Sequence, residues 1–478
     1  MKRQTVFWNR LRGKGKRKVG WVESMKNALF CSWLNVFLVF IPIAWVAHWE
    51  QIKDHNPWPP RLVFSLCFIA IIPLEGLFDW GGEQMSIYLG PSLGDLLVIT
   101  LNNAVEAALA IILLTKCELR LLQSTIVGVV ILHLLLVPGT AFLTGGARVW
   151  EQTLHPHNTQ LNHSLLMIGI LSLLLPTAFF AALDRGSQTI LNGEPSFAGS
   201  TLLTDEVRAD ILKISRGFAF ILGVIYIASR VYLSNPPGDD NALKPLPNMP
   251  DEIKEHEKEL NEVEPEINPL ACILLLCAVI ALMAATAEWL VESIEFVRED
   301  PRGRIKEEWF GLILLPIVSF SADGVVAIVY FCKRVINHFL GRKVLVPSLL
   351  ARARAIDLSI QFTLFWMPFV VLLGWIINKP MMLLFDYFEL SLLLGSCFLV
   401  NYVTADAKTN WVEGLIMVSF YVMIAVSAWF YVGQPELEYF LQCATTVLEA
   451  VTNGIAAGHG EGGAAGHGEA VVGGGAHH

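Results

Sequence analysis

Eleven stretches of roughly twenty mostly apolar residues recur along this 478-residue chain. Each is long enough to cross the ~30 Å hydrocarbon core of a bilayer as a helix. They lie at roughly 29–48, 61–80, 95–115, 121–143, 163–183 and 214–233, then at 268–290, 309–332, 355–377, 381–403 and 411–432. Runs this long cannot be barrel strands, and helix is the one spanning structure that satisfies its own backbone in lipid. The charged fraction of 16%, against about a quarter in soluble domains, agrees. The predicted fold is an all-α polytopic membrane protein of about 11 transmembrane helices, one N-terminal helix plus two five-helix inverted repeats. Its parts are a basic N-terminus (1–28), a first helix (29–48), a first repeat (61–234), a linker (235–267), a second repeat (268–432) and a C-terminal segment (433–478).

Residues 1–19 carry eight Lys/Arg and no acid, which places the N-terminus in the cytosol by the positive-inside rule. The linker is acidic, with ten acids against three lysines from Asp239 to Glu266. It is either a solvated connection or a polar surface helix that draws cations to a cytosolic entrance. An odd number of spans puts the C-terminus on the opposite, lumenal side. A short amphipathic helix from about Glu436 to Val451 is expected at the membrane surface. Beyond it the Gly/His-rich tail is too poor in apolar residues to build a core. The eight cysteines are scattered with no CxxC pair and read as small buried hydrophobes, not as a disulfide or metal framework. No basic stripe interleaved with aromatics is present, so nucleic-acid binding is disfavoured.

Two carboxylates fall inside spans: Glu106, in Asn102-Asn103-Ala104-Val105-Glu106, and Asp323, in Ser319-Phe320-Ser321-Ala322-Asp323-Gly324. An acid at bilayer depth costs at least about 2.5 kcal/mol, so it normally faces a cavity and carries a function. Acids on interrupted helices at corresponding places in two halves mark the central site of many secondary transporters. Such a pair suits a hard divalent cation, which wants several oxygen ligands. The same carboxylates bind protons when the metal leaves, because each ion lowers the site's affinity for the other. An intramembrane aspartyl protease would set its acids in Tyr-Asp and Gly-Leu-Gly-Asp, and neither occurs. The chain is not expected to be an enzyme or to carry a cofactor.

An ordered set of blocks carries a family resemblance: Ser32-Trp33-Leu34-Asn35-Val36, Ile71-Ile72-Pro73-Leu74, Gly94-Asp95-Leu96-Leu97 leading to Asn103-Ala104-Val105-Glu106, Ser215-Arg216-Gly217, Leu315-Pro316-Ile317-Val318, Asn401-Tyr402, and Asp406 with Asn410 to Gly414. Over most of residues 28–432 the chain resembles the calcium/proton antiporters of the cation/proton exchanger family, the vacuolar type of fungi and plants. The resemblance implies exchange of Ca²⁺ for H⁺ across an acidic endomembrane, with Ca²⁺ as substrate. It implies cation binding by Asn103 and Glu106, with Thr100 matching, and by Asp323 with Ser321. Gln361 is expected near that site, and Glu83 and Glu288 along a proton route.

Departures from the family pattern concentrate in the second repeat. Where Gly-Asn-Ala-Ala-Glu-His is usual, Phe320 removes an amide, Asp323 is one methylene shorter than Glu, and Gly324 replaces a histidine. Val98 stands for an Asn, Asn102 for a Gly, His133 for an Asn and Asp357 for a Gly. A histidine on an apolar face is more often a hydrogen-bonded core residue than a ligand or proton relay, and Asp357 follows Arg352 and Arg354 within a turn or so, where a salt bridge accounts for it. Asn102, Asp357 and Ser321 offer replacement oxygens. Two alternatives therefore stay open: a divergent paralogue that no longer transports and acts as a membrane regulatory or scaffold protein, and an antiporter with altered selectivity (Mn²⁺, Na⁺/K⁺). The sequence names no protein partner beyond the lipid bilayer.

Overall fold

The computed structural model describes residues 17–52, 58–146, 156–183, 204–234, 264–299, 306–321, 354–406 and 408–443. It also describes short pieces at 8–9, 11–13, 152–153, 190–191, 194–195, 324, 329, 332, 336, 446–447 and 449–450. Most of the linker, the C-terminal tail and Asp323 lie outside these residues. The helices in order are α1 (Trp21–Phe30), α2 (Phe40–Ile52), α3 (Pro60–Leu89), α4 (Pro91–Asn102), α5 (Ala104–Lys116), α6 (Leu119–Ile131), α7 (Val137–Gly146), α8 (Pro156–Leu183) and α9 (Asp205–Ser234). The second half holds α10 (Pro269–Glu299), α11 (Glu307–Trp309), α12 (Arg354–Gln361), α13 (Met367–Ile376), α14 (Tyr387–Val403), α15 (Trp411–Phe430) and α16 (Pro435–Leu441). A 3₁₀ turn, Trp33–Val39, leads into α2.

Among the described residues eight helices are long and apolar enough to cross a membrane, and the bent pair α4–α5 makes a ninth. The expected eleven are not reached. The run at 309–332 passes out of the described residues after 321, and the run at 381–403 does not begin as a helix. Instead Met381 to Phe385 form a non-helical segment with every side chain buried. Distant side chains satisfy its backbone: Gln123 donates to Met382 O at 2.9 Å, Leu383 N donates to Ser215 Oγ at 2.9 Å, and Phe385 N donates to Thr177 Oγ1 at 3.2 Å. Buried backbone outside a helix survives only with such partners.

The halves meet where small residues let backbones approach. A Cβ on Gly128 of α6 would lie 2.2 Å from Leu312 O, and one on Gly414 of α15 would lie 2.5 Å from Leu143 N. Lipid supplies no hydrophobic drive between helices, so such close van der Waals contact is what holds them. Exposed leucines, valines, isoleucines and aromatics cover the outer faces of α9, α10 and α15, as lipid contact requires. A two-residue antiparallel pairing, Gln152–Thr153 with Lys408–Thr409, ties the connection after α7 to the one before α15.

Two local features organise the site. The halves carry five-residue π segments at corresponding places, Leu132–Leu136 between α6 and α7 and Phe362–Trp366 between α12 and α13. A third, Phe310–Leu314, follows α11. π turns of this kind are rare and gather at functional sites.

A cluster of charge is buried where α6 begins and α15 ends. Arg120 Nη2 lies 3.0 Å from Asp386 Oδ2 and 3.5 Å from Glu308 Oε1. Asp386 also caps α14 through Phe388 N at 2.8 Å and accepts from Tyr431 OH at 2.7 Å and from Gln434 N at 3.0 Å. Glu389 accepts from Ser124. The sequence reading gave no sign of this cluster.

Two further expectations are corrected at the same end. Cys117 and Cys443 form a disulfide, with Cα atoms 6.4 Å apart across 326 residues of sequence. The C-terminal helix is the short α16, and Leu437, Phe440, Leu441 and Val447 are buried against the bundle, with Phe440 edge-on to Phe180 at 5.7 Å. Its apolar side is packed against the protein.

Candidate cation site

The first span acid sits at a break. α4 and α5 meet at Asn103 (φ −95°, ψ 6°) with a bend of 52°. Two successive asparagines favour such a break, because their side chains compete with the helical ladder for backbone partners. Glu106 falls in the first turn of α5, where the helix dipole favours negative charge.

What surrounds it is dry and unpaired. Asn103 and Glu106 are 0% and 1% exposed, yet Asn102 Oδ1, Asn103 Oδ1 and both Glu106 carboxylate oxygens have no hydrogen-bond partner. Each such orphan costs about 1–3 kcal/mol. These four oxygens, on either side of the helix break, are the candidate cation ligands of this segment. Ser319 stands against the carboxylate, but its hydroxyl donates to Pro316 O at 2.8 Å. Ser319 belongs to the second half, so the site lies between the halves.

The expected helpers divide. Gln361, 1% exposed and last in α12 before its π segment, accepts from Asn103 Nδ2 at 2.8 Å. Its amide in turn donates to Thr100 Oγ1 at 2.9 Å and to Tyr226 OH at 3.0 Å. Asn103 Nδ2 is thereby held and its oxygen is left free. The structure thus joins Thr100, Asn103 and Gln361 by hydrogen bonds, and Glu106 follows Asn103 in the first turn of α5. Ser321 donates to Val318 O at 2.6 Å. Phe320 and Gly324 are one steric unit, since a Cβ on Gly324 would meet Phe320 Cε1 at 2.9 Å. The two departures from the family pattern are therefore complementary.

Glu83 and Glu288 are exposed and are not enclosed with Glu106. Gly81 and Gly82 pack against Leu276 and Leu101, which turns the next residue of α3 outward. On α10, Ala287, Leu290 and Val291 form the buried stripe, and Glu288 lies off it. Asp357 pairs with Arg230 Nη2 of α9 at 3.9 Å.

Two residues gain importance from the structure. Tyr226 anchors Gln361, and the sequence marks it only as a polar tip within an apolar helix. His133, in the first π segment and 4% exposed, is not a hydrogen-bonded core histidine: Nδ1 has no partner and Nε2 stands 3.5 Å from Glu106 Oε1. Among the described residues no group of three or more His, Cys, Asp or Glu gathers as a metal cluster.

Comparison with known proteins agrees with this architecture. A vacuolar calcium ion transporter of Cryptococcus neoformans var. grubii is 32% identical over 497 residues, covering 90% of this chain and 78% of that protein. A Ca²⁺/H⁺ antiporter of Synechocystis is 29% identical over 410 residues, covering 85% of this chain and 99% of its own. The crystal structure of the Ca²⁺/H⁺ antiporter protein YfkE shares the fold with a TM-score of 0.58 at 21% identity, over 83% of this chain and 99% of that one. The family described as sodium/calcium exchanger protein matches residues 59–234 and 271–430. The chain belongs to the sodium/calcium exchanger protein family.

Proposed function

We propose that this protein is a secondary active antiporter that exchanges Ca²⁺ for protons across the vacuolar membrane and loads the lumen. One observation carries the reading: Glu106 is buried at a helix break with both carboxylate oxygens unpartnered, beside two free asparagine oxygens. A fixed charge without a fixed partner suits a site that trades a metal ion for a proton. The reading needs no covalent chemistry. It is supported by relatives named as a vacuolar calcium ion transporter and a Ca²⁺/H⁺ antiporter.

The proposed orientation keeps the N-terminus and acidic linker in the cytosol and the C-terminus in the lumen. The Cys117–Cys443 bridge falls at the end this orientation makes lumenal, where disulfides persist. The retained ligand set around Glu106 favours transport over a scaffold role.

Purified protein in vesicles with an acidic interior is expected to take up Ca²⁺ until the pH gradient is collapsed, and Glu106→Gln to abolish uptake. Failure of the native protein to move Ca²⁺, Mn²⁺, Na⁺ or K⁺ would instead support the non-transporting reading.

A further inference from the structure

α1 holds ten residues, roughly 15 Å of helix, against a hydrocarbon core ~30 Å thick. It is too short to span. Ser32, extended at φ −138° and ψ 146°, turns the chain between α1 and the 3₁₀ turn that enters α2. One side of α1 is fixed to the bundle. Ser24 and Ala28 are buried, Asn27 Nδ2 donates to Glu266 O at 2.8 Å, and Ser24 Oγ accepts from Asn268 N at 3.0 Å. The adjoining side carries Trp21, Met25 and Leu29 at successive turns with Val22 beside them, and these are 50–85% exposed.

A contiguous exposed apolar stripe marks a partner or a membrane, and its continuation says which. It runs on through Trp33, Val36 and Val39 into the exposed Ile43 and Val46 of α2, the outer side of a membrane span. Charge says which lipid. Residues 1–19 carry eight Lys/Arg and no acid, Lys18 and Lys26 are exposed, and Lys26 follows Val22 by one turn at the edge of the stripe. Glu23, the one acid of α1, is paired with Arg17 Nη2 at 2.8 Å. Amphipathic helices with basic polar faces lie in the membrane interface, and Lys/Arg clusters beside a span attract anionic headgroups.

We propose that α1, with Lys18 and Lys26, is a docking surface for the anionic lipid of the adjoining leaflet. The apolar stripe enters the acyl boundary and the lysines hold the phosphate-bearing headgroups. Asn268, which accepts from Leu270 N at 3.0 Å to cap α10, is the residue that Ser24 holds. The docked helix therefore fixes where α10 begins. Docking stands apart from the exchange reading, and only its effect on Ca²⁺ uptake rests on that reading.

Full-length protein is placed in phosphatidylcholine vesicles, and brominated phosphatidylserine, whose bromine quenches indole emission on contact, is titrated in. The difference between native protein and Trp21→Phe isolates Trp21. Brominated phosphatidylserine is expected to quench Trp21 at a lower fraction than brominated phosphatidylcholine does. Lys18→Gln and Lys26→Gln are each expected to raise the phosphatidylserine fraction at half quenching about fivefold, the weight of one basic residue at an anionic surface. Equal quenching by the two lipids, no quenching by either, or a titration unmoved by both variants would overturn the docking. Ca²⁺ uptake is expected to quicken with phosphatidylserine, and the gain to be lost when both lysines are replaced. Uptake indifferent to the lipid, beside a normal quenching titration, would overturn the effect on α10 alone. Absence of uptake in every lipid would overturn the exchange reading and leave the docking to the quenching result.

Discussion

Asp386 and Glu106 are both carboxylates withdrawn from water, at 0% and 1% exposure, and the protein treats them in opposite ways. Asp386 is held by the Arg120 guanidinium, the Tyr431 hydroxyl and the backbone N–H groups of Phe388 and Gln434. Glu106 has no hydrogen-bond partner on either oxygen. Burying a charge is tolerable only with compensation. At Asp386 the compensation is built in and joins α6, α14 and the end of α15. At Glu106 no hydrogen bond supplies it. The first arrangement is architecture, and the second is what the proposed exchange of a metal ion for a proton requires.

Removing the built-in compensation should produce the largest effect on folding. Arg120→Ala leaves Asp386, Glu308 and Glu389 without their guanidinium, and the expected loss is about 3–5 kcal/mol, read as a lower thermal midpoint of the purified protein. An unchanged midpoint would break the contrast, since Asp386 would then need its partner no more than Glu106 does. Cys117→Ser probes the same end without touching charge. A loss of about 2–4 kcal/mol is expected, and reduction of the native protein should reproduce it. At the site, Gln361→Leu removes the acceptor that holds Asn103 Nδ2. It should weaken metal binding about tenfold, which corresponds to about 1.4 kcal/mol, as measured by metal titration, with little change in thermal midpoint.

The sequence made the spans legible because a bilayer demands runs of a fixed length, and it made Glu106 legible because an acid at that depth has few other uses. Rotation about a helix axis is what it hid. Glu288 lies on α10 but faces outward, since the buried stripe runs through Ala287, Leu290 and Val291. Met381 to Phe385 have the composition of a span, and the side chains that satisfy their non-helical backbone are Gln123, Thr177 and Ser215, all more than 150 residues away. The Cys117–Cys443 bridge and the Arg120 cluster are equally non-local. His133 reads as a core residue in the sequence because its 3.5 Å approach to Glu106 is supplied only by the fold.

Metal-dependent thermal stabilisation of the Glu106→Gln variant is the most direct test of the difference between the two carboxylates. A ligand that binds only the folded state raises stability by about 2.7 kcal/mol at one hundred times its dissociation constant. The native protein should gain stability with added Ca²⁺, whereas Glu106→Gln should melt no lower than native in metal-free buffer and gain nothing when Ca²⁺ is added. A variant that unfolds more easily without metal, or that still responds fully to Ca²⁺, would mean that Glu106 is a structural acid like Asp386.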